Sequence, residues 1–279
     1  MSLADPRLTL ARPDLAAEDL EGVAPAARYA PRQHLAVTAP NAALRKAPDP
    51  AAEQLDQLLY GESFDAVERQ GEFWWGQARR DGYVGFVAAE ALAAALARPT
   101  HWIRALRTFA FAEPSIKSRG VGPFSLNALV AVEAEDGDFA RAADGGWFWR
   151  AHLAPIGLGL ETDPAAVAER YLGAPYLWGG RDSLGLDCSG LVQQALYACG
   201  HACPRDTDQQ QSLGHGIDAG ELARNDLVFW RGHVGMMLDS ARIIHANASH
   251  MAVAIEPLDE ALLRIEAKGY GRPVAWRRV

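Results

Sequence analysis

The spacing of hydrophobic and polar residues changes character several times along the chain. Asp14-Leu15-Ala16-Ala17-Glu18-Asp19-Leu20 has helical spacing, follows Pro13 and stops at Gly22, which predicts a short helix within an N-terminal arm, residues 1–32. From about residue 35 to 89, short apolar alternations are broken by Pro48, Pro50, Gly61, Gly71 and Gly82 and carry Phe73, Trp74, Trp75, Tyr83 and Phe86 between the breaks. That pattern predicts a small antiparallel β-barrel. A second pass of the same kind covers about 102 to 156. The two passes compare internally: 64–73 and 129–139 each carry an alternating strand into a glycine turn, Gly71 or Gly137, and then an aromatic, Phe73 or Phe139.

Near Thr162 the period lengthens. Residues 163–173 read as a helix with Thr162 or Asp163 at its N-cap and Pro164 at its first position. A second helix, 188–199, ends at Gly200, and strands are expected at 226–230, 233–238 and 242–245. Helices followed by an antiparallel run give an α+β domain. The expected segments are the arm 1–32, β-modules 33–97 and 98–158, and the α+β domain 159–279.

The 279 residues are 49% hydrophobic and 22% charged, a globular composition with chain enough for more than one core. A net charge of −8 lacks the basic surface that nucleic acid or an anionic membrane requires, so neither is expected as a partner and a neutral or cationic ligand fits better. No run approaches the ~20 apolar residues of a membrane span. Cys188, Cys199 and Cys203 are an odd and sparse set, unlike a disulfide framework, and suit a reducing compartment. The opening Met1-Ser2-Leu3-Ala4-Asp5 has neither the basic region nor the apolar region of an export signal, and a cytoplasmic protein is the expectation.

Candidate chemistry gathers in the last domain. Tyr176-Leu177-Trp178-Gly179-Gly180 leads through a turn-rich loop to Leu186-Asp187-Cys188-Ser189-Gly190, so Cys188 opens a helix. The helix dipole and unpaired N–H groups there favour a thiolate, and the same N–H groups can hold an oxyanion. A cysteine alone more commonly marks a buried structural thiol. Downstream, His233-Val234-Gly235 and Ile244-His245-Ala246 lie on strands expected to be neighbours, where two imidazoles can converge as a base and its orienting partner. Core histidines and a zinc site are the rival readings. Spacing offers no Cys-x-x-Cys or His-x-x-x-His element, Cys199 and Cys203 flank a helix end and its loop, and His201, His215 and His250 read as loop residues. No metal and no cofactor are expected.

Asp187-Cys188-Ser189-Gly190, the strand Asp226-Leu227-Val228-Phe229-Trp230 running to His233-Val234-Gly235, and Ile244-His245-Ala246 together resemble the NlpC/P60 family of cysteine peptidases. The resemblance implies a papain-like catalytic domain with Cys188 as nucleophile, His233 as general base and acid, and His245 as the orienting third member. Asn225 stands where the family has glycine, a turn position asparagine also occupies. Both β-modules resemble bacterial SH3 domains, the first through Asp81-Gly82-Tyr83-Val84-Gly85-Phe86-Val87; Gly145-Gly146-Trp147-Phe148-Trp149 in the second departs from that closing strand. The expected fold is α+β, a papain-like NlpC/P60 domain preceded by two small SH3-like β-barrels.

The combination resembles γ-D-glutamyl-L-diamino acid endopeptidases of cell-wall recycling. That implies a murein tri- or tetrapeptide substrate with a free N-terminal L-Ala, cut through a thioacyl-enzyme on Cys188 to release meso-diaminopimelate or L-Lys. By the same resemblance Glu62 in Leu59-Tyr60-Gly61-Glu62, Tyr83, and Asp206 with Thr207 bind the substrate amine, Tyr176 adds a hydroxyl beside the scissile amide, and Asp187 and Ser189 complete the substrate-binding set. Plainer readings stand beside these: Glu62 as a solvated turn acid, Tyr83 as a barrel-core aromatic, Arg205 paired with Asp206 on the surface, and Trp147, Phe148 and Trp149 as core or interface. Two rival functions are an exported hydrolase of intact peptidoglycan and a non-catalytic murein-peptide-binding protein.

Overall fold

The computed structural model describes residues 5–94 and 97–279; residues 1–4 of the arm and 95–96 at the end of the first module lie outside the described residues. The chain divides into two compact units, Met1–Leu158 and Gly159–Val279. Sheet predominates and the helices are few. Among the described residues none is long and apolar enough to cross a membrane.

Alternation builds the first unit. In Asn41–Arg45, Ala42 and Leu44 are buried and their neighbours half-buried, the signature of a sheet with one face on a core. Strands pair in the order Gln54–Leu59, Asn41–Arg45, Val84–Ala88, Phe73–Ala78, Ser63–Gln70, Gln33–Val37, Leu92–Ala93. They surround Leu35, Val37, Leu44, Leu58, Phe64, Tyr83 and Val87. Among the described residues the two end strands do not pair with each other. A closed barrel is therefore not established; the described residues form a seven-stranded antiparallel sheet around that core.

The arm also departs from its spacing. Leu15, Ala16 and Ala17 are buried in succession, whereas one face of a helix buries every third or fourth residue. Ala16–Ala17 instead pairs in parallel with Tyr29–Ala30, and a single 3₁₀ turn, Glu18–Leu20, follows. Leu10, Leu15 and Ala17 pack on Phe73, Trp75 and Phe86.

Arg107–Phe111, Gly120–Ser125, Val132–Asp136, Phe139–Ala142 and Trp147–Trp149 form a second sheet, beside which His101–Ile103 lies between Leu129–Val130 and Leu153–Pro155. The internal similarity survives as matched hairpins. Both turn at a glycine with positive φ, Gly71 at 58° and Gly137 at 54°. Both bulge at the same distance ahead of it, between Ala66 and Glu68 and between Val132 and Ala134. Phe148 is core, packed with Tyr60 and Phe124, while Trp147 and Trp149 are half-buried beside it.

Tyr60 fastens the two sheets together. Its ring enters the second core, its hydroxyl donates to Asp144 at 2.6 Å, and its carbonyl accepts the Leu129 N–H at 2.8 Å. Next to it, Gly61 has φ 76°, and a Cβ there would stand 2.0 Å from the Leu129 carbonyl oxygen.

The second unit contains helices α1 (Pro164–Glu169), α2 (Cys188–Ala198), α3 (Thr207–Gln210) and α4 (Leu258–Ala267). Its antiparallel sheet runs His215–Gly216, Ala275–Arg278, Leu227–Trp230, His233–Met237, Arg242–Asn247, Ala252–Pro257. Leu227–Trp230 is buried at every position, which accounts for its unbroken apolar run. Asp163 caps α1 by accepting the Ala165 and Ala166 N–H groups, with Pro164 at the first position. Asn225 adopts φ 76° at its turn and accepts the Ala165 N–H at 2.7 Å. The α2 helix packs on His233–Met237 and Arg242–Asn247, which brings the thiol-bearing helix to the histidine-bearing strands.

Gly61→Ala combines an unfavourable φ with a backbone clash and is expected to destabilise the first unit by about 2 kcal/mol or more, read as a lowered urea midpoint. An unchanged midpoint would show that the Tyr60 junction is looser than this close approach implies.

Candidate active site

Asp187 places the thiol. As the N-cap of α2 it accepts the Gly190 N–H on Oδ1 at 2.8 Å and the Gly179 N–H on Oδ2 at 2.9 Å. Arg205, 1% exposed, donates Nη1 to Oδ1 at 3.0 Å and Nη2 to Oδ2 at 2.6 Å, and Nη1 reaches Ser189 Oγ at 2.8 Å. Arg205, in the plainer reading a surface partner of Asp206, is buried, and Asp187 and Ser189 hold it. A buried guanidinium beside a buried carboxylate offsets the cost of removing either charge from water. Gly190 is needed for closeness: a Cβ there would meet the Gly180 carbonyl oxygen at 2.3 Å.

Cys188, 6% exposed, therefore begins a helix whose first N–H groups have no intrahelical acceptor. Its sulfur accepts the Val234 N–H and stands 3.8 Å from Thr207 Oγ1. Burial and the Asp187 carboxylate push the thiol up to about 11, against the downward pull of Val234, Thr207 and Arg205. Desolvation of the charged form thus works against the thiolate that a helix start favours.

His233 follows the thiol's partner strand turn, Arg231-Gly232, and its ring lies beside Trp230 with centroids 5.6 Å apart. Its Nε2 is 2.8 Å from His245 Nδ1, and His245 Nε2 is 2.5 Å from Glu256 Oε1. Arg264 of α4 donates to the same Glu256 oxygen. Burial, then His245 and Arg264, bring His233 down to about 3; burial likewise lowers His245 despite the carboxylate. For Glu256, burial is outweighed by its bonds from His245 and Arg264, which leave it at about 2. Near neutral pH burial favours an uncharged thiol and two neutral imidazoles, beside an ionised Glu256.

The structure brings Tyr176 and Thr207 to this thiol. Tyr176 is half-buried, and burial together with the charges of Cys188 and Asp187 raises its phenol above the ordinary range. Asp206 caps α3 directly before Thr207, with its N–H donated to Gln209 Oε1 at 3.2 Å. Glu62 and Tyr83 lie in the first unit. Glu62 is 2% exposed, takes the Leu59 N–H at 3.1 Å and pairs with Arg80 at 2.8 Å, so it is not the solvated turn acid considered above. Tyr83 belongs to the first module's core. Sequence reasoning missed Glu256 and Arg264; the available signal was a lone acid ending the apolar run Ala252-Val253-Ala254-Ile255. Among the described residues no cluster of three or more His, Cys, Asp or Glu is arranged to hold a metal ion.

A buried thiol at a helix start, paired imidazoles and a carboxylate on one antiparallel sheet define a cysteine peptidase. Comparison with known proteins identifies the domains. Residues 173–271 match the NlpC/P60 family and residues 44–92 the bacterial dipeptidyl-peptidase Sh3 domain. The chain carries an NlpC/P60 cysteine peptidase domain behind that SH3 domain. It is homologous to the γ-D-glutamyl-L-lysine dipeptidyl-peptidase of Bacillus subtilis (strain 168), 26% identical over 75% of this chain and 78% of that protein. The protein of the same name from Bacillus cereus (strain ATCC 10987 / NRS 248) is 33% identical over 33% of this chain and 30% of its own length. The fold is shared with the crystal structure of an NlpC/P60 family protein from Bacillus cereus ATCC 10987, with a TM-score of 0.76 at 20% identity, over 88% of this chain and 99% of that one.

Arg205→Leu leaves Asp187 buried without its countercharge, and chemical denaturation is expected to show a loss of about 3–5 kcal/mol; a loss near zero would mean that backbone N–H groups satisfy Asp187 alone. The depressed histidines set a second expectation. An unfolded chain takes up protons as pH falls below about 6.5, while folded His233 resists until about 3, so this stability is complete above that window and lost within it as pH falls. Melting temperature should therefore decline from pH 6.5 to 5; a flat profile would mean that the two rings titrate normally.

Proposed function

We propose that this chain hydrolyses the γ-D-Glu to L-diamino acid amide of murein peptides, with Cys188 as nucleophile, His233 as general base and acid, and His245 as its orienting partner. The observation that carries the reading is the placement of Cys188 at the start of α2 beside the strand presenting His233, with His245 directly behind at 2.8 Å. The names of the homologous dipeptidyl-peptidases support the substrate class.

In this reading His233 takes the thiol proton as sulfur attacks the γ-carbonyl, and N–H groups at the start of α2 hold the developing oxyanion. The imidazolium then protonates the departing amine of meso-diaminopimelate or L-Lys. Water, deprotonated by His233, cleaves the thioester and restores the thiol. Tyr176 and Thr207 border the sulfur, and Asp206, next to Thr207, supplies a carboxylate for the free N-terminal amine of an L-Ala-led tri- or tetrapeptide. Residues 33–97 and 98–158 are read as two SH3-like modules, the second on the strength of its matched hairpin.

Release of diaminopimelate from L-Ala-γ-D-Glu-meso-diaminopimelate tests the proposal. Cleavage that disappears in Cys188→Ala and on N-acetylation of the peptide is the expected outcome. Equal cleavage of the acetylated peptide would remove the free-amine requirement and favour action on intact peptidoglycan; binding without cleavage would favour a peptide-binding protein.

A further inference from the structure

We propose that Glu256, anchored by Arg264, is a positioning residue that sets the proton arrangement of both imidazoles and, through them, the basicity offered to Cys188. The inference rests on the Cys188–His233 reading and adds to it a residue outside the three assigned there.

Hydrogen-bond inventory gives the arrangement. An ionised carboxylate only accepts, so His245 Nε2, 2.5 Å from Glu256 Oε1, must carry the proton. Neutral His245 then presents a lone pair at Nδ1, and His233 Nε2, 2.8 Å away, must be the donor. That leaves the lone pair of neutral His233 on Nδ1, the nitrogen not engaged with His245. One carboxylate thus fixes both tautomers, and its negative charge stands in line with the positive charge that appears on His233 when the thiol proton arrives.

The carboxylate is itself held. Glu256 is 9% exposed and His245 fully buried, so neither rotates freely into water. Arg264 donates one nitrogen to Glu256 and the other to Ser249 Oγ at 2.7 Å, and Lys268, one turn further along, donates to the same Oγ at 2.7 Å. The charged and titratable groups around the carboxylate are thus His245 and, beyond it, His233 and His250 on the sheet side, and Arg264 with Lys268 on the helical side.

Substitution by glutamine keeps size and removes charge, and its amide NH₂, when turned to His245, reverses both tautomers. The test measures the pH dependence of Cys188 alkylation by iodoacetamide, resolved from Cys199 and Cys203 by peptide mass spectrometry, in the full chain and in Glu256→Gln and Glu256→Asp. The expected result is a fall of about tenfold or more at pH 7 in Glu256→Gln, an upward shift of the profile, partial recovery in Glu256→Asp, and a parallel loss of kcat with little change in KM. A profile identical to the parent's, with only a lowered melting temperature, would overturn the proposal and leave Glu256 a structural ion. If Glu256→Gln does not fold, Glu256→Asp decides, since a full alkylation rate there would overturn it as well. Alkylation needs no peptide, so the two readings separate: a shifted profile in a protein that cleaves no murein peptide retains the relay and removes the substrate, whereas Cys188-dependent cleavage with an unshifted profile does the reverse.

Discussion

Inside the second unit a carboxylate and a guanidinium, Asp187 and Arg205, meet through two hydrogen bonds at 3.0 and 2.6 Å, and the position of the proposed nucleophile follows from that contact. The whole of α2 is buried, so its start has no water to satisfy it. Asp187 supplies acceptors to the helix at Gly190 and to the preceding loop at Gly179, which locks the two together with Cys188 between them. A carboxylate in this setting is tolerable only with a countercharge as well buried as itself, and Arg205 is that countercharge.

Much of the site was legible because its signals are local. A cap, a proline and a glycine bracket α1; an apolar run precedes His233; and the residues around Cys188, His233 and His245 keep their order and their neighbours whatever the tertiary packing. What escaped depends on contacts between distant positions. Arg205 read as a surface residue because charged side chains seldom lie in a core, and only the fold reveals Asp187 opposite it. Glu256 and Arg264 lie on a strand and a helix beyond the last motif, and the link from Glu256 to His245 runs diagonally across two paired strands, His245 opposite Ala254 and Ile243 opposite Glu256. The arm misled because Leu15, Ala16 and Ala17 mimic a helical stripe while being buried in a row.

Two electrostatic effects compete at Cys188, and their magnitudes decide the outcome. A helix terminus is worth about 0.3–2 kcal/mol to a charge placed there. Full burial displaces a pKa by as much as ~3–5 units, and the Asp187 carboxylate acts in the same direction. Burial, with Asp187 beside it, pushes the thiol up to about 11. The imidazoles respond to the same dry surroundings in the opposite sense, and burial favours their neutral form.

An uncharged sulfur is also slow to oxidise. Peroxides attack the thiolate and convert it stepwise to sulfenic and then irreversible acids, at rates that follow the ionised fraction. With its ionisation near 11, Cys188 is almost wholly protonated at neutral pH. The burial that disfavours ionisation of Cys188 thereby also slows the oxidation of its sulfur.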